Sequence, residues 1–100
     1  MHHAKIYEDL TARRAKLAVI GLGYVGLPIA LEFAKHISVI GFDINSRRIG
    51  MMRNQIDPSK EVDAKEFAGR DITFTDDEHY QSSADARTII QLGLAPVHSV

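Results

Sequence analysis

Lys16-Leu17-Ala18-Val19-Ile20-Gly21-Leu22-Gly23-Tyr24-Val25-Gly26-Leu27-Pro28 opens the most informative stretch of this chain, and Gly41-Phe42-Asp43 closes it. Residues 16–21 form an unbroken, mostly apolar run ended by glycine. That pattern fits a strand buried on both faces, as in a parallel sheet. From Tyr24 the period changes. Val25, Ile29, Phe33 and Ile37 recur four apart with Ala30 and Ala34 beside them, which predicts a helix over 24–35 with an apolar stripe carrying those residues. Pro28 falls in the first turn or so, where backbone N–H groups lack helical acceptors in any case. Lys35 and His36 stand at the C-terminal end, where positive charge complements the helix dipole, and that accounts for His36 without a ligand role. Residues 38–42 then read as a second apolar strand, ended by Asp43.

Between strand and helix lies Gly21-Leu22-Gly23-Tyr24-Val25-Gly26, with the spacing G-x-G-x-x-G. Gly21 allows a tight turn out of the strand, Gly23 lets the backbone approach a pyrophosphate, and Gly26 lets the helix pack closely on the strand. The phosphates would sit at the helix N-terminus, where free N–H groups and the positive dipole end meet negative charge. The backbone N–H groups of Tyr24 and Val25 are the expected donors. Such a hexapeptide alone is weak evidence. Here it follows a buried strand, opens an amphipathic helix and precedes a second strand ending in an acid. Asp43 follows Gly21 by about twenty residues, the separation expected of the carboxylate that binds the adenine ribose hydroxyls. Dinucleotide binding follows from the combination. Asp43 would repel the 2′-phosphate of NADP, so the cofactor expected is NAD. Arg47 and Arg48 are of the type that binds such a phosphate, but an acid at the ribose position outweighs them. One arginine is expected along the adenosine and the other in solvent.

Working outward, residues 6–14 read as a short leading helix with Ile6, Leu10 and Tyr7 on one side. After Asp43, Asn45 or Ser46 caps a helix through about Asn54, weakened by Gly50 and packed through Met51 and Met52. Ile56-Asp57-Pro58-Ser59 is a turn, and Pro58 introduces a short acidic helix over 61–67 whose charges form a solvated face. Ile72-Thr73-Phe74-Thr75 alternates as a third strand. Asp76-Asp77-Glu78 resembles the acidic start of a one- or two-turn helix. Ile89, Ile90, Leu92 and Leu94 place a candidate fourth strand within 88–97, ended by Pro96. The fold class is therefore α/β: the first half of a Rossmann-type parallel sheet, three to four strands with flanking helices. The expected division is an N-terminal extension at 1–15, a dinucleotide-binding half-domain at 16–85 and a divergent tail at 86–100.

Composition narrows the partners. Lys and Arg number 12 against 13 Asp and Glu, so bulk charge gives no reason to expect nucleic acid or an anionic membrane as partner. There is no cysteine, hence no disulfide, thiolate metal site or cysteine nucleophile in these residues. No metal site is expected, since His2 and His3 are read as an inert pair. The longest apolar runs fall far short of the ~20 residues that span a bilayer, and the first residues lack a signal peptide's apolar core. A cytoplasmic location is the expectation.

The run from Lys16 to Pro28, together with Gly41-Phe42-Asp43-Ile44-Asn45 and Arg48, closely resembles the UDP-glucose/GDP-mannose dehydrogenase family. Ile56-Asp57, Glu61-Val62 and Ile72-Thr73-Phe74-Thr75 extend the likeness, which is greatest to the branch oxidising UDP-N-acetylhexosamines for polysaccharide or O-antigen synthesis. The resemblance covers roughly 5–85. It implies that Val25, Asp43 and Arg48 contact NAD, and the cofactor-binding set expected here is Gly21, Leu22, Gly23, Tyr24, Val25, Gly26, Asp43, Ile44 and Arg48. It also implies that complete members oxidise the sugar C6 alcohol to a carboxylate in two NAD-dependent steps, using a cysteine as covalent nucleophile. After Ala84-Asp85 the chain departs from the family pattern, and the substrate domain and that cysteine are missing. No catalytic residue is therefore assigned, and a UDP-sugar is expected as partner only in the complete enzyme.

The expectation is a truncated or frameshifted NAD-binding portion without turnover of its own. The alternative is a non-catalytic module that senses an adenine dinucleotide. If 88–94 failed to supply a fourth strand, the open edge beside the first would favour self-association.

Overall fold

The structure, a computed structural model, describes residues 2–23, 25–80 and 88–93. Helix α1 (His2–Thr11) leads into strand β1 (Ala15–Ile20), and helix α2 (Gly26–Phe33) follows the glycine loop. Strand β2 (Val39–Phe42), helix α3 (Ser46–Arg53), a 3₁₀ turn (Ala64–Glu66), strand β3 (Ile72–Thr75) and strand β4 (Thr88–Gly93) complete the order. The four strands form one parallel sheet in the order β3-β2-β1-β4. That is the first part of the doubly wound order, with β1 at the centre.

β4 lies beside β1 over its whole length, from Ala15 opposite Thr88 to Ile20 opposite Gly93. The slot beside β1 is filled by the chain itself, so the argument for self-association at an open β1 edge loses its premise. β1 is buried as its apolar run requires: Ala15, Leu17, Ala18 and Val19 are all buried.

One core fills the space between a sheet face and α2 and α3. It joins Leu17, Val19 and Val39 of the sheet to Leu27, Ala30 and Leu31 of α2 and to Ile49 and Met52 of α3. Each large side chain buried there is worth about 1.5–3 kcal/mol over its exposed state.

α2 corrects the sequence reading in one respect. Its buried face is Gly26, Leu27, Ala30 and Leu31, followed by Ala34, whereas Val25 is 48% and Phe33 40% exposed. In Gly-Leu-Pro-Ile-Ala-Leu-Glu-Phe every position but Glu32 is apolar or glycine, so two helical stripes compete. The sheet selects the one rich in small residues, because Gly26, Ala30 and Ala34 let the backbone approach most closely. The helix is also shorter than expected, and Tyr24 lies outside the described residues.

Three smaller differences have local causes. α1 ends at Thr11, not Arg14, where the Thr11 hydroxyl donates to the Tyr7 carbonyl at 3.0 Å and Arg13 turns to φ +61°. Tyr7 is 69% exposed, while Leu10 alone of the expected side chains described there packs on the core. The acidic helix shrinks to the 3₁₀ turn, and the N–H groups of Glu61 and Val62 before it are held by the Asp57 carboxylate. Asp76-Asp77-Glu78 leads into a hydrogen-bonded turn, with the Tyr80 N–H donating to the Asp77 carbonyl at 3.1 Å. Residues 81–87, into which a second turn of that helix would run, lie outside the described residues.

Candidate functional site

The C-terminal ends of β1 and β2 open on the same end of the sheet, and the glycine loop crosses between β1 and α2 there. Gly21 has φ +93°, a conformation that side chains rarely adopt, and its N–H donates to the Phe42 carbonyl at 2.9 Å. Gly23 is exposed, and a Cβ built on it meets no heavy atom within 4 Å. Its carbonyl accepts the Leu27 N–H at 3.0 Å, which starts the first turn of α2. Val25 stands at the N-cap and no side chain caps this helix, which leaves the dipole end available to an anion.

Asp43 holds the other side. One carboxylate oxygen accepts the Leu22 N–H at 3.0 Å and the other accepts the Asn45 N–H at 3.0 Å. Arg48 donates from Nη2 to the Leu22 carbonyl at 3.0 Å, so the Leu22 residue is gripped through both its N–H and its C=O. Arg48 is itself placed by Asn45, whose Oδ1 accepts the Arg48 N–H at 3.0 Å and caps α3. Of the two arginines, Arg48 thus turns in to the loop and Arg47 is exposed. Ile44 is 82% exposed directly beside Asp43.

The residues present fit a dinucleotide. Open space lies over Gly23, a helix N-terminus lacks a side-chain cap, a carboxylate stands at the end of β2, and an exposed apolar side chain lies next to it. Gly21, Leu22, Gly23, Val25, Gly26, Asp43, Ile44 and Arg48 are all brought to this end of the molecule. Tyr24 falls outside the described residues.

Sequence reasoning passed over the roles of two residues, Gly41 beside the site and Asp57 away from it. Gly41 lies under the loop: a Cβ there would stand 3.1 Å from Leu22 Cδ1 and 3.1 Å from Phe74 Cδ1. Its signal was the glycine inside an apolar strand. Asp57, 6% exposed, accepts the N–H groups of Ser59, Glu61 and Val62 at 2.8, 2.8 and 2.9 Å and organises the loop after α3. Asp-Pro-Ser is a turn signature, but burial of the carboxylate is not visible in it.

Among the described residues no three His, Cys, Asp or Glu side chains come together as a metal site. None of the described helices is long and apolar enough to cross a membrane.

Residues 15–93 match the pattern of the UDP-glucose/GDP-mannose dehydrogenase family, NAD binding domain. The chain belongs to this family. The match runs from the start of β1 to the end of β4, past residue 85 where the resemblance was expected to stop. Among curated relatives of this dehydrogenase family, it is 54% identical over 61 residues to the UDP-N-acetyl-D-glucosamine 6-dehydrogenase of Pseudomonas aeruginosa, covering 60% of this chain and 14% of that one. It is 50% identical over 52 residues to the enzyme of the same name from Salmonella typhi, covering 52% and 12%. A solved structure of the UDP-N-acetyl-mannosamine dehydrogenase Cap5O from Staphylococcus aureus is similar at 38% identity and a TM-score of 0.50, over 62% of this chain and 16% of that one. The chain therefore spans about one-seventh of the length of the first of these relatives.

Proposed function

We propose that this chain is the adenosine-side NAD cradle of a nucleotide-sugar 6-dehydrogenase of the UDP-N-acetylhexosamine type, acting in the cytoplasm. The observation that carries the reading is the clamp on Leu22, which fixes the glycine loop against Asp43 and Arg48. Gly21, Leu22, Gly23 and Gly26 shape the phosphate turn, with the N–H groups of Tyr24 and Val25 toward the pyrophosphate. Each Asp43 oxygen accepts one backbone N–H and keeps a lone pair for a ribose hydroxyl. Ile44 offers its apolar face to the adenine, and Arg48 flanks the adenosine. NAD, when bound, supplies the hydride acceptor.

The complete enzyme would oxidise the C6 alcohol of a UDP-sugar to a carboxylate. These 100 residues contain no cysteine to act as covalent nucleophile for the second oxidation. The names of the curated relatives support the substrate class.

Calorimetry of the 100-residue chain with NAD, NADP and AMP tests the reading. Asp43→Ala should weaken NAD roughly 10- to 100-fold, the scale of one charge-assisted hydrogen bond. A folded Asp43→Ala chain that binds NAD as the wild type does would overturn it.

A further inference from the structure

Asp43 has a neighbouring carboxylate. In the β2–β3 register Phe42 stands opposite Thr75, and the Asp43 N–H donates to the Thr75 carbonyl at 3.2 Å. The next residues, Asp43 and Asp76, therefore leave the sheet side by side, at about the 4.8 Å spacing of paired strands. The Ser46 hydroxyl, at the first residue of α3, lies near Asp76.

The groups that would suit a 2′-phosphate at this spot are the start of α3, the Ser46 hydroxyl and the two arginines. Two are already engaged: Asn45 takes the Arg48 N–H, and the Arg48 guanidinium is on the Leu22 carbonyl. Arg47 is exposed and has no part in the clamp.

We infer that Asp76 is a second specificity residue, which excludes NADP by placing a negative charge beside Asp43 where the 2′-phosphate would lie. The Ser46 hydroxyl holds the Asp76 carboxyl below its ordinary range, helped by its own backbone N–H and by the charge of Arg53. It is accordingly ionised wherever the enzyme would work. Asp43 orients the ribose by contact, whereas Asp76 acts at longer range and only on the phosphate.

This inference rests on the dinucleotide reading, and the experiment separates the two. NAD and NADP affinities are measured for the wild type, Asp76→Asn and Asp76→Ala at low and high salt. Removing one charge that faces a dianion across screened solvent should raise NADP affinity roughly five-fold while leaving NAD unchanged. The gain should shrink in 0.5 M salt, where the Debye length falls to about 4 Å. NAD binding with NADP affinity unmoved in both folded variants would overturn the role of Asp76 alone. A wild-type chain that binds neither dinucleotide would overturn the cofactor reading, and this inference with it.

Discussion

Gly41 and Gly23 should respond in opposite ways to the same added methyl group. At Gly41 the Cβ would lie 3.1 Å from carbons of both Leu22 and Phe74, about 0.7 Å inside normal carbon contact. Leu22 is fully buried, with its backbone held by Asp43 and Arg48, so it cannot swing away. Phe74 can yield in part, since it lines a cleft of about 330 Å³ with Met52, Phe67 and Ile72. Overpacking of this kind costs about 1–3 kcal/mol, offset by about 0.4–1 kcal/mol from the stiffer unfolded chain. A net loss of about 1–2 kcal/mol lowers the Tm of a chain this size by roughly 5–15 °C. At Gly23 nothing lies within 4 Å and φ is not in the left-handed region, so Gly23→Ala should raise the Tm by roughly 2–8 °C through the stiffer unfolded chain. Its methyl would instead occupy the space over the loop, and NAD binding should fall at least ten-fold. Thermal denaturation by circular dichroism and calorimetry with NAD read the two effects. A Gly41→Ala chain as stable as the wild type, or a Gly23→Ala chain that binds NAD normally, would refute the packing of the loop given above.

Two further predictions concern parts remote from the cofactor. Asp57→Ala removes the acceptor for three backbone N–H groups under the loop after α3, and should cost about 2–4 kcal/mol in urea denaturation, while Asp57→Asn should cost less. Asp71 is held below its ordinary value of 3.8 chiefly by the Ser38 hydroxyl at 2.6 Å, and also by Arg13 at 2.8 Å. A depressed carboxyl contributes stability that is present above 3.8 and is lost as pH falls through the lower folded value. Asp71→Asn should therefore be less stable than the wild type at pH 7, with the two curves converging toward pH 2 in acid titrations of stability. Because the pair is about half exposed, the difference should be modest and smaller in high salt.

Local patterns carry most of what is legible in the sequence alone. The apolar run of β1, the spacing of Gly21, Gly23 and Gly26, and Asp43 at the end of β2 are written in adjacent residues, because turn geometry and phosphate approach are local requirements. Hence fold class, cofactor class and the place of the site follow without coordinates. Asn45 as the cap of α3 was half legible, since Ser46 fits the same rule and only the bond to the Arg48 N–H separates them.

What tertiary structure alone decided depends on contacts between distant segments. The buried face of α2 was such a case: its sequence is apolar nearly all round, so the sheet had to choose between Leu27 and Val25. Gly41 matters only because Leu22 and Phe74 close over it, and Asp57 only because its loop folds back onto it. The joint grip of Asp43 and Arg48 on Leu22 likewise joins residues more than twenty apart. The tail was legible as a candidate strand, but its full-length place beside β1 was decided by the sheet, where β1 offered backbone groups that residues 88–93 pair.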